Sequence, residues 1–278
     1  MNRILLIAKN AFRAVMSQRA LYVWGFAVVI MFFRAAPALF ARDRPPEVMA
    51  FLRANSVSGA LDIWSYLCML TAIYLGATAI PADLRSKTII TVLARPVRRW
   101  ELLIGKWIGL TAFSSVTLGI GVALALALAK YLGVNVDGNV LAIAAARTIT
   151  GIVLFGGVAL AVSTGGSAPI AGAITMLLVF MPMLVTQLRD DPDPTYHRIG
   201  VALDSLIPPG YDSHYMGVVW AAFPVPPNMR GRVPAQMQQR PSVDYRTDRQ
   251  AIAVTAAYSG VYFLLGCVFF TRRDVKFS

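Results

Sequence analysis

The chain has 278 residues, of which 57% are hydrophobic and 14% are charged, and its mean hydropathy is +0.60. This composition excludes a cytosolic enzyme and a secreted disulfide scaffold, because so few charged residues cannot cover a soluble surface. The formal charge of +12 therefore needs an explanation within a membrane protein. The two cysteines, Cys68 and Cys267, lie in uncharged stretches and are interpreted as packing residues.

Four stretches contain no Asp, Glu, Lys or Arg, namely 63–82, 107–129, 148–188 and 250–271. About 20 apolar residues cross a bilayer as a helix, and 148–188 is long enough for two such helices. The sequence predicts six spans, at 21–40, 61–80, 102–129, 140–162, 168–188 and 250–271. Turn-forming residues from Ser163 to Pro169 predict a tight hairpin between the fourth and fifth spans. The predicted fold class is an all-α integral membrane protein with a single membrane domain, 1–278.

Residues 1–19 carry a helical pattern in front of the first span. The apolar residues that recur at helical spacing are Ile4, Ile7, Ala8, Ala11, Phe12 and Val15. The pattern predicts an amphipathic helix that lies in the inner membrane interface. A cleavable signal peptide is the alternative, because basic residues precede an apolar run and Ala36 to Ala38 loosely resembles a cleavage site.

The distribution of Lys and Arg predicts the orientation. With both termini inside, the inner segments 1–19, 81–106 and 272–278 carry 13 basic and 3 acidic residues. The outer segments 41–62, 130–139 and 189–249 carry 11 of each. Cytoplasmic loops are enriched in Lys and Arg, so we expect the inner (plasma) membrane, with lipids as surroundings and both termini in the cytoplasm. Topology explains the charge, and no nucleic-acid partner is predicted.

The extracytoplasmic segment 189–249 divides into two parts. Apolar residues at helical spacing within 196–223 predict short helices against the outer membrane face. Five prolines within 224–249 predict an extended strap. The segment is a candidate contact surface for an extracytoplasmic protein.

The loop 81–101, between the second and third spans, contains the most informative sequence. Asp83 is placed to cap a short amphipathic helix over about 84–94, and Pro96 ends that helix by disfavouring helical geometry at Arg95. Basic charge alone suits any inner loop, but the residue order is more specific. It consists of Asp83, Thr88, Val92, Leu93, Arg95, Pro96, Val97, Arg99, Glu101, Leu102, Leu103, Gly105 and Lys106.

This order resembles the corresponding loop in permease subunits of type 2 ABC transporters, and among them the multicopper-enzyme and nitrous-oxide-reductase maturation permeases. The resemblance implies a homodimer or pseudo-dimer of permeases bound to two copies of an ABC ATPase, with 81–101 as the coupling helix. The coupling residues it implies are Asp83, Leu84, Arg85, Lys87, Thr88, Val92, Leu93, Arg95, Pro96, Arg99 and Glu101. One departure is Lys87, since many members have Gly before the Thr.

The chain has no GxxxxGK[ST] phosphate-binding loop, because Gly105-Lys106 has Trp100 in place of the first Gly and Trp107 in place of Ser or Thr. We therefore expect no enzyme activity and no cofactor in this chain, with ATP and Mg bound by the partner ATPase. The predicted function is the permease of an ATP-driven exporter. The alternatives are a mechanotransducer that acts on an outer partner without moving a solute, and a stand-alone channel or secondary carrier.

Three further sets of residues have two interpretations each, and Arg34 has one. Arg147, seven residues into the fourth span, is either a pathway residue for an anionic group or a side chain that reaches outer headgroups or pairs with Asp62. Arg34 is interpreted as an anchor at the outer headgroups. The small residues Gly105, Gly109, Gly151, Gly156 and Gly157 suit either a dimer seam or packing within the chain. Met176, Met181 and Met183 are interpreted as packing residues rather than copper ligands.

Overall fold

The computed structural model describes residues 3–18, 20–40, 45–85, 98–189, 193–206 and 245–272. These residues are almost entirely helical, which confirms the all-α part of the predicted fold class. The helices in chain order are α1 Arg3–Gln18, α2 Ala20–Phe40, α3 Pro46–Arg85, α4 Arg99–Leu132, α5 Gly138–Gly165, α6 Ala168–Arg189, α7 Pro194–Leu206 and α8 Tyr245–Arg272.

Three stretches of helix in the described residues are long and apolar enough to cross a membrane. They are Val48–Asp83 in α3, Trp100–Leu132 in α4 and Gly138–Gly165 in α5. Shorter apolar stretches are Trp24–Phe40 in α2, Ala168–Met181 in α6 and Ala253–Val268 in α8. The described chain thus supports an integral membrane protein, and the full set of six crossings stays a prediction.

Helix α3 differs most from its predicted span. It begins at Pro46, about four turns before residue 61, and continues through Pro81 to Arg85. Most of the predicted outer connection 41–62 is therefore helical. Its residues Ala54 and Val57 pack with Ala129 and Leu132 of α4, so burial against a neighbouring helix extends α3 beyond the uncharged stretch.

Helix α5 is the central helix of the described bundle. It contacts α3 and α8 most extensively, and also α6 and α4. Helix α4 also contacts α3 and α1, while α2 lies against α3 and α7 lies against α6. Cys68 of α3 is fully buried beside Leu118 and Ile152, which agrees with its interpretation as a packing residue.

Short connections join α4, α5 and α6. Helix α4 ends at Leu132 and is capped by Gly133, whose φ of 67° is accessible to glycine at little cost. Asp137 caps α5, because its carboxylate accepts hydrogen bonds from the backbone N–H groups of Asn139 at 2.9 Å and Val140 at 3.3 Å. Only Gly166 and Ser167 separate α5 from α6, at the position predicted for the hairpin.

Candidate coupling site at the base of the 81–101 loop

The structure describes the two ends of the 81–101 loop, where α3 ends and α4 begins. Of the predicted coupling residues, Asp83, Leu84, Arg85, Arg99 and Glu101 belong to these helices. The remaining ones, Lys87, Thr88, Val92, Leu93, Arg95 and Pro96, lie outside the described residues. The candidate site is therefore the base of the loop, formed by the last turn of α3 and the first turns of α4.

The prediction that Asp83 caps a separate helix is wrong. Helix α3 passes through Pro81 to Arg85, so Asp83 lies inside its last turn. The carboxylate of Asp83 forms an ion pair with the ammonium group of Lys106, two turns into α4. The Asp83 carboxylate therefore binds a side chain of another helix, α4, instead of capping a helix.

Lys106 binds the end of α3 at a second point. Its ammonium group donates a hydrogen bond of 2.6 Å to the backbone carbonyl of Ala79, one turn before Asp83. The side chains of Lys106 and Asp83 are only 12% and 29% exposed, so water screens their attraction less than that of a surface pair. A cation near a helix C-terminus also interacts favourably with the helix dipole. One lysine therefore fastens α4 to the last two turns of α3.

Glu101 stabilises the start of α4. Its carboxylate accepts a hydrogen bond of 2.9 Å from the backbone N–H of Arg98, and its own N–H donates to the Arg98 carbonyl at 3.0 Å. An acidic side chain in the first turn also suits the positive end of the helix dipole. The predicted coupling residue Glu101 thus defines where α4 begins.

A hydrophobic cluster lies directly beneath the ion pair. Its buried residues are Ile80 of α3, Leu102, Leu103 and Leu110 of α4, and Leu160 of α5. Ile7 of α1 and Cys267 of α8 pack against the same cluster. Because close-packed interiors transmit displacement, movement of the loop base acts on three other helices of the bundle, α1, α5 and α8.

Helix α1 is seated on α4 next to this cluster. A Cβ atom added to Gly105 would lie 2.7 Å from Cβ of Ile7, and one added to Gly109 would lie 2.6 Å from the Ala8 carbonyl oxygen. The two glycines therefore allow close approach of α1. One turn further, the ring of Phe12 meets that of Phe113 edge to face.

This arrangement shows the face of α1 with Ile7, Ala8 and Phe12 packed on α4 of the same chain, whereas the position of α1 in the inner membrane interface stays a prediction. It also bears on the two interpretations of the small residues. Gly156 faces Leu110 and Gly157 faces Trp107, at 2.9 and 3.0 Å from a would-be Cβ to the nearest atom. Together with the contacts of Gly105 and Gly109, these contacts favour packing within the chain.

Trp107 connects α4 to α5. Its indole N–H donates a hydrogen bond of 3.1 Å to the backbone carbonyl of Val153. We expect Trp107→Phe to lower the free energy of unfolding by about 1 kcal/mol, the usual net contribution of one such bond. Unfolding in mixed detergent micelles measures this free energy. Trp100→Phe is the matched control, because Trp100 takes no part in the hydrogen bond between Trp107 and Val153. An equal loss in both variants would contradict the prediction.

Arg147 and Asp62 lie on facing helices. Ala144, one turn before Arg147 on α5, packs with Ala60 and Leu61 of α3, which immediately precede Asp62. Both charged side chains are half-buried. Their places on facing helices do not distinguish pairing with Asp62 from a role in a transport pathway, and both interpretations of Arg147 stay predictions.

The remaining candidates are dispersed. Arg34 is exposed and its guanidinium lies across Gly59 of α3, where a Cβ would be 2.8 Å from Nη2. Met176 and Met181 are half-buried on α6, and His197 is exposed on α7. No group of three His, Cys, Asp or Glu side chains able to hold a metal occurs among the described residues.

The sequence placed Lys106 in the residue order that resembles ABC permeases but did not indicate that it pairs with Asp83. A signal was present, because a lysine at the fifth position of a predicted span is costly unless it finds a partner. Ile7 and Gly105 were likewise noted separately, and nothing in the sequence indicated that they touch.

The comparison with protein families agrees with the architecture. The model of the ABC-2 family transporter proteins matches residues 5–275, almost the whole chain. No match to a curated protein was found. Members of the family are membrane components of ABC transporters, and they generally work with an ABC ATPase that hydrolyses ATP. The chain belongs to the ABC-2 transporter family, and it is a transmembrane permease component of an ABC transport system.

Proposed function

We propose that this chain is the permease of an ATP-driven exporter and that an ABC ATPase acts on it through the 81–101 loop. The observation that carries the proposal is the double attachment of Lys106 to Asp83 and to the Ala79 carbonyl. Because Lys106 holds the two ends of the loop together, a displacement of the loop moves α3 and α4 as one unit. If the two ends were independent, one helix could move without the other.

The route into the membrane follows from the contacts beneath the loop. Leu110 of α4 touches Gly156 of α5, and Leu160 of α5 belongs to the same cluster as Ile80 of α3. A displacement at the loop thus reaches α5, which contacts α3, α4, α6 and α8. Transport requires two packings of these helices with similar energy, and ATP binding and hydrolysis bias their populations.

The remaining parts of the proposal rest on the resemblance to type 2 ABC permeases. We propose outward movement from the cytoplasm or inner leaflet, a second permease identical to this one, and two ATPase copies that bind ATP and Mg. Cytoplasmic termini place the 81–101 loop on the ATPase side, which the excess of Lys and Arg in 1–19, 81–106 and 272–278 supports. The order from Arg95 to Lys106 supports the narrower maturation-permease group.

A pull-down with the cognate ATPase tests the proposal. Leu84→Asp combined with Leu93→Asp places two charges on the predicted apolar face of the loop. Burying unpaired charge is strongly unfavourable, so we expect ATPase recovery to fall at least tenfold. The measurement is the ATPase-to-permease ratio after affinity capture of the permease.

The matched control introduces two Asp residues on α7 instead of in the loop. Ile199→Asp with Val201→Asp changes two exposed apolar side chains of α7, which is far from the loop in the chain. This variant should retain the ATPase. Equal recovery by the Leu84 and Leu93 variant would remove the assignment of the loop as the coupling segment.

A further inference from the structure

The seat of α1 on α4 leaves one side of α1 facing outward. The residues Leu6, Lys9, Arg13 and Met16 follow one another at three- and four-residue spacing along this side and are named here the outward stripe. All four are exposed, with Leu6 at 43% and Met16 at 38%. The stripe has cations at its centre and apolar side chains at both ends.

The charge of the stripe is uncompensated within α1. The helix Arg3–Gln18 contains no Asp or Glu. Within the described part of the chain, neither Lys9 nor Arg13 forms an ion pair. Two cations one turn apart on a helix repel each other, so they favour an anionic partner at that surface.

We propose that the outward stripe binds anionic phospholipid headgroups of the inner leaflet. Lys9 and Arg13 contact the lipid phosphates, and Leu6 and Met16 enter the boundary between headgroups and acyl chains. This surface differs from the face that the sequence pattern alone assigned to the membrane, since that face packs on α4. The inference rests on the proposed cytoplasmic orientation of the amino terminus.

The position of α1 connects lipid binding to the base of the 81–101 loop. Its opposite side touches Gly105 and Gly109, and Ile7 packs into the cluster beneath Asp83 and Lys106. A lipid that holds α1 at the membrane surface also holds the base of the 81–101 loop. Anionic lipid therefore stabilises the purified permease even without an ATPase.

Titration of the purified full-length chain with phosphatidylglycerol in detergent, followed by thermal unfolding, tests the inference. Phosphatidylglycerol should raise the unfolding temperature, and phosphatidylcholine should not. The double variant Lys9→Gln, Arg13→Gln should weaken the apparent affinity for phosphatidylglycerol roughly 25-fold, or about fivefold per charge. Both positions are exposed, so this variant should unfold like the unmodified chain when no lipid is added.

Two control variants test whether the positive charge at positions 9 and 13 is what binds the lipid. Lys9→Arg with Arg13→Lys conserves the charge and should retain the affinity, as should Lys130→Gln with Arg198→Gln at exposed cations elsewhere. Unchanged affinity in the Gln double variant, or an equal effect of inorganic phosphate, would overturn the proposal. Because the readout uses the permease alone, retained ATPase binding in the Leu84 and Leu93 variant, which would contradict the proposed coupling segment, would leave this result unaffected.

Discussion

Replacement of Gly76 by alanine should destabilise the protein by about 3 kcal/mol, the upper part of the range for overpacking a core. Gly76 is buried where α3 crosses α5. A Cβ at this position would lie 2.5 Å from the backbone carbonyl oxygen of Gly156 and 3.0 Å from Cβ of Ala159. Since the nearest obstacle is backbone rather than a flexible side chain, the two helices must separate to make room.

Unfolding of the purified protein in mixed micelles with increasing SDS measures the effect, and Gly119→Ala provides the matched control. Gly119 is an exposed glycine within α4, and a Cβ there would have no neighbour within 4 Å. Alanine is favoured over glycine in a helix by about 1 kcal/mol, so this variant should be at least as stable as the unmodified chain. Equal stability of the two variants would show that α3 and α5 do not approach so closely.

Lys106→Met should uncouple the permease from its ATPase. The variant retains an apolar side chain of similar length but loses both the ion pair with Asp83 and the hydrogen bond to Ala79. It also leaves Asp83 without this charge partner, and we expect a loss of about 2 kcal/mol of stability for a partly buried pair. The larger effect is on function, because the ends of the loop then move independently.

The stimulation of ATPase activity by the permease in nanodiscs measures coupling. We expect Lys106→Met to abolish this stimulation while the ATPase still binds, since the predicted contact residues are unchanged. The exchange Asp83→Lys, Lys106→Asp should recover part of it, because the exchange restores opposite charges but not the bond to Ala79. Lys130→Met, at the other end of α4, serves as control. Full stimulation in Lys106→Met would contradict the role of the double attachment.

Local features of the fold could be predicted from the sequence. The length of uncharged stretches predicted apolar helices near the observed positions, since a bilayer imposes that length. Turn chemistry located the hairpin at Gly166 and Ser167, because glycine favours such breaks. The residue order from Asp83 to Lys106 identified the family, which the match over 5–275 shows.

The sequence predicted the extent of α3 less well, because the first turns of this helix are polar enough to resemble a loop. Pro46–Arg85 stays helical since Ala54 and Val57 are buried against α4. Helix propensity and hydropathy describe a segment by itself, whereas this burial depends on a neighbour more than 70 residues away, at Ala129 and Leu132.

The sequence by itself determined that this chain enters a membrane, which stretches are apolar helices and which loop relates it to ABC permeases. Only the tertiary structure decided that Asp83 pairs with Lys106 and that α1 lies against Gly105 and Gly109. The physical reason is that periodicity identifies an apolar face or a costly charge, but not the surface that covers the face or the group that neutralises the charge. Those partners are set by how the helices pack, through contacts between residues far apart in the chain.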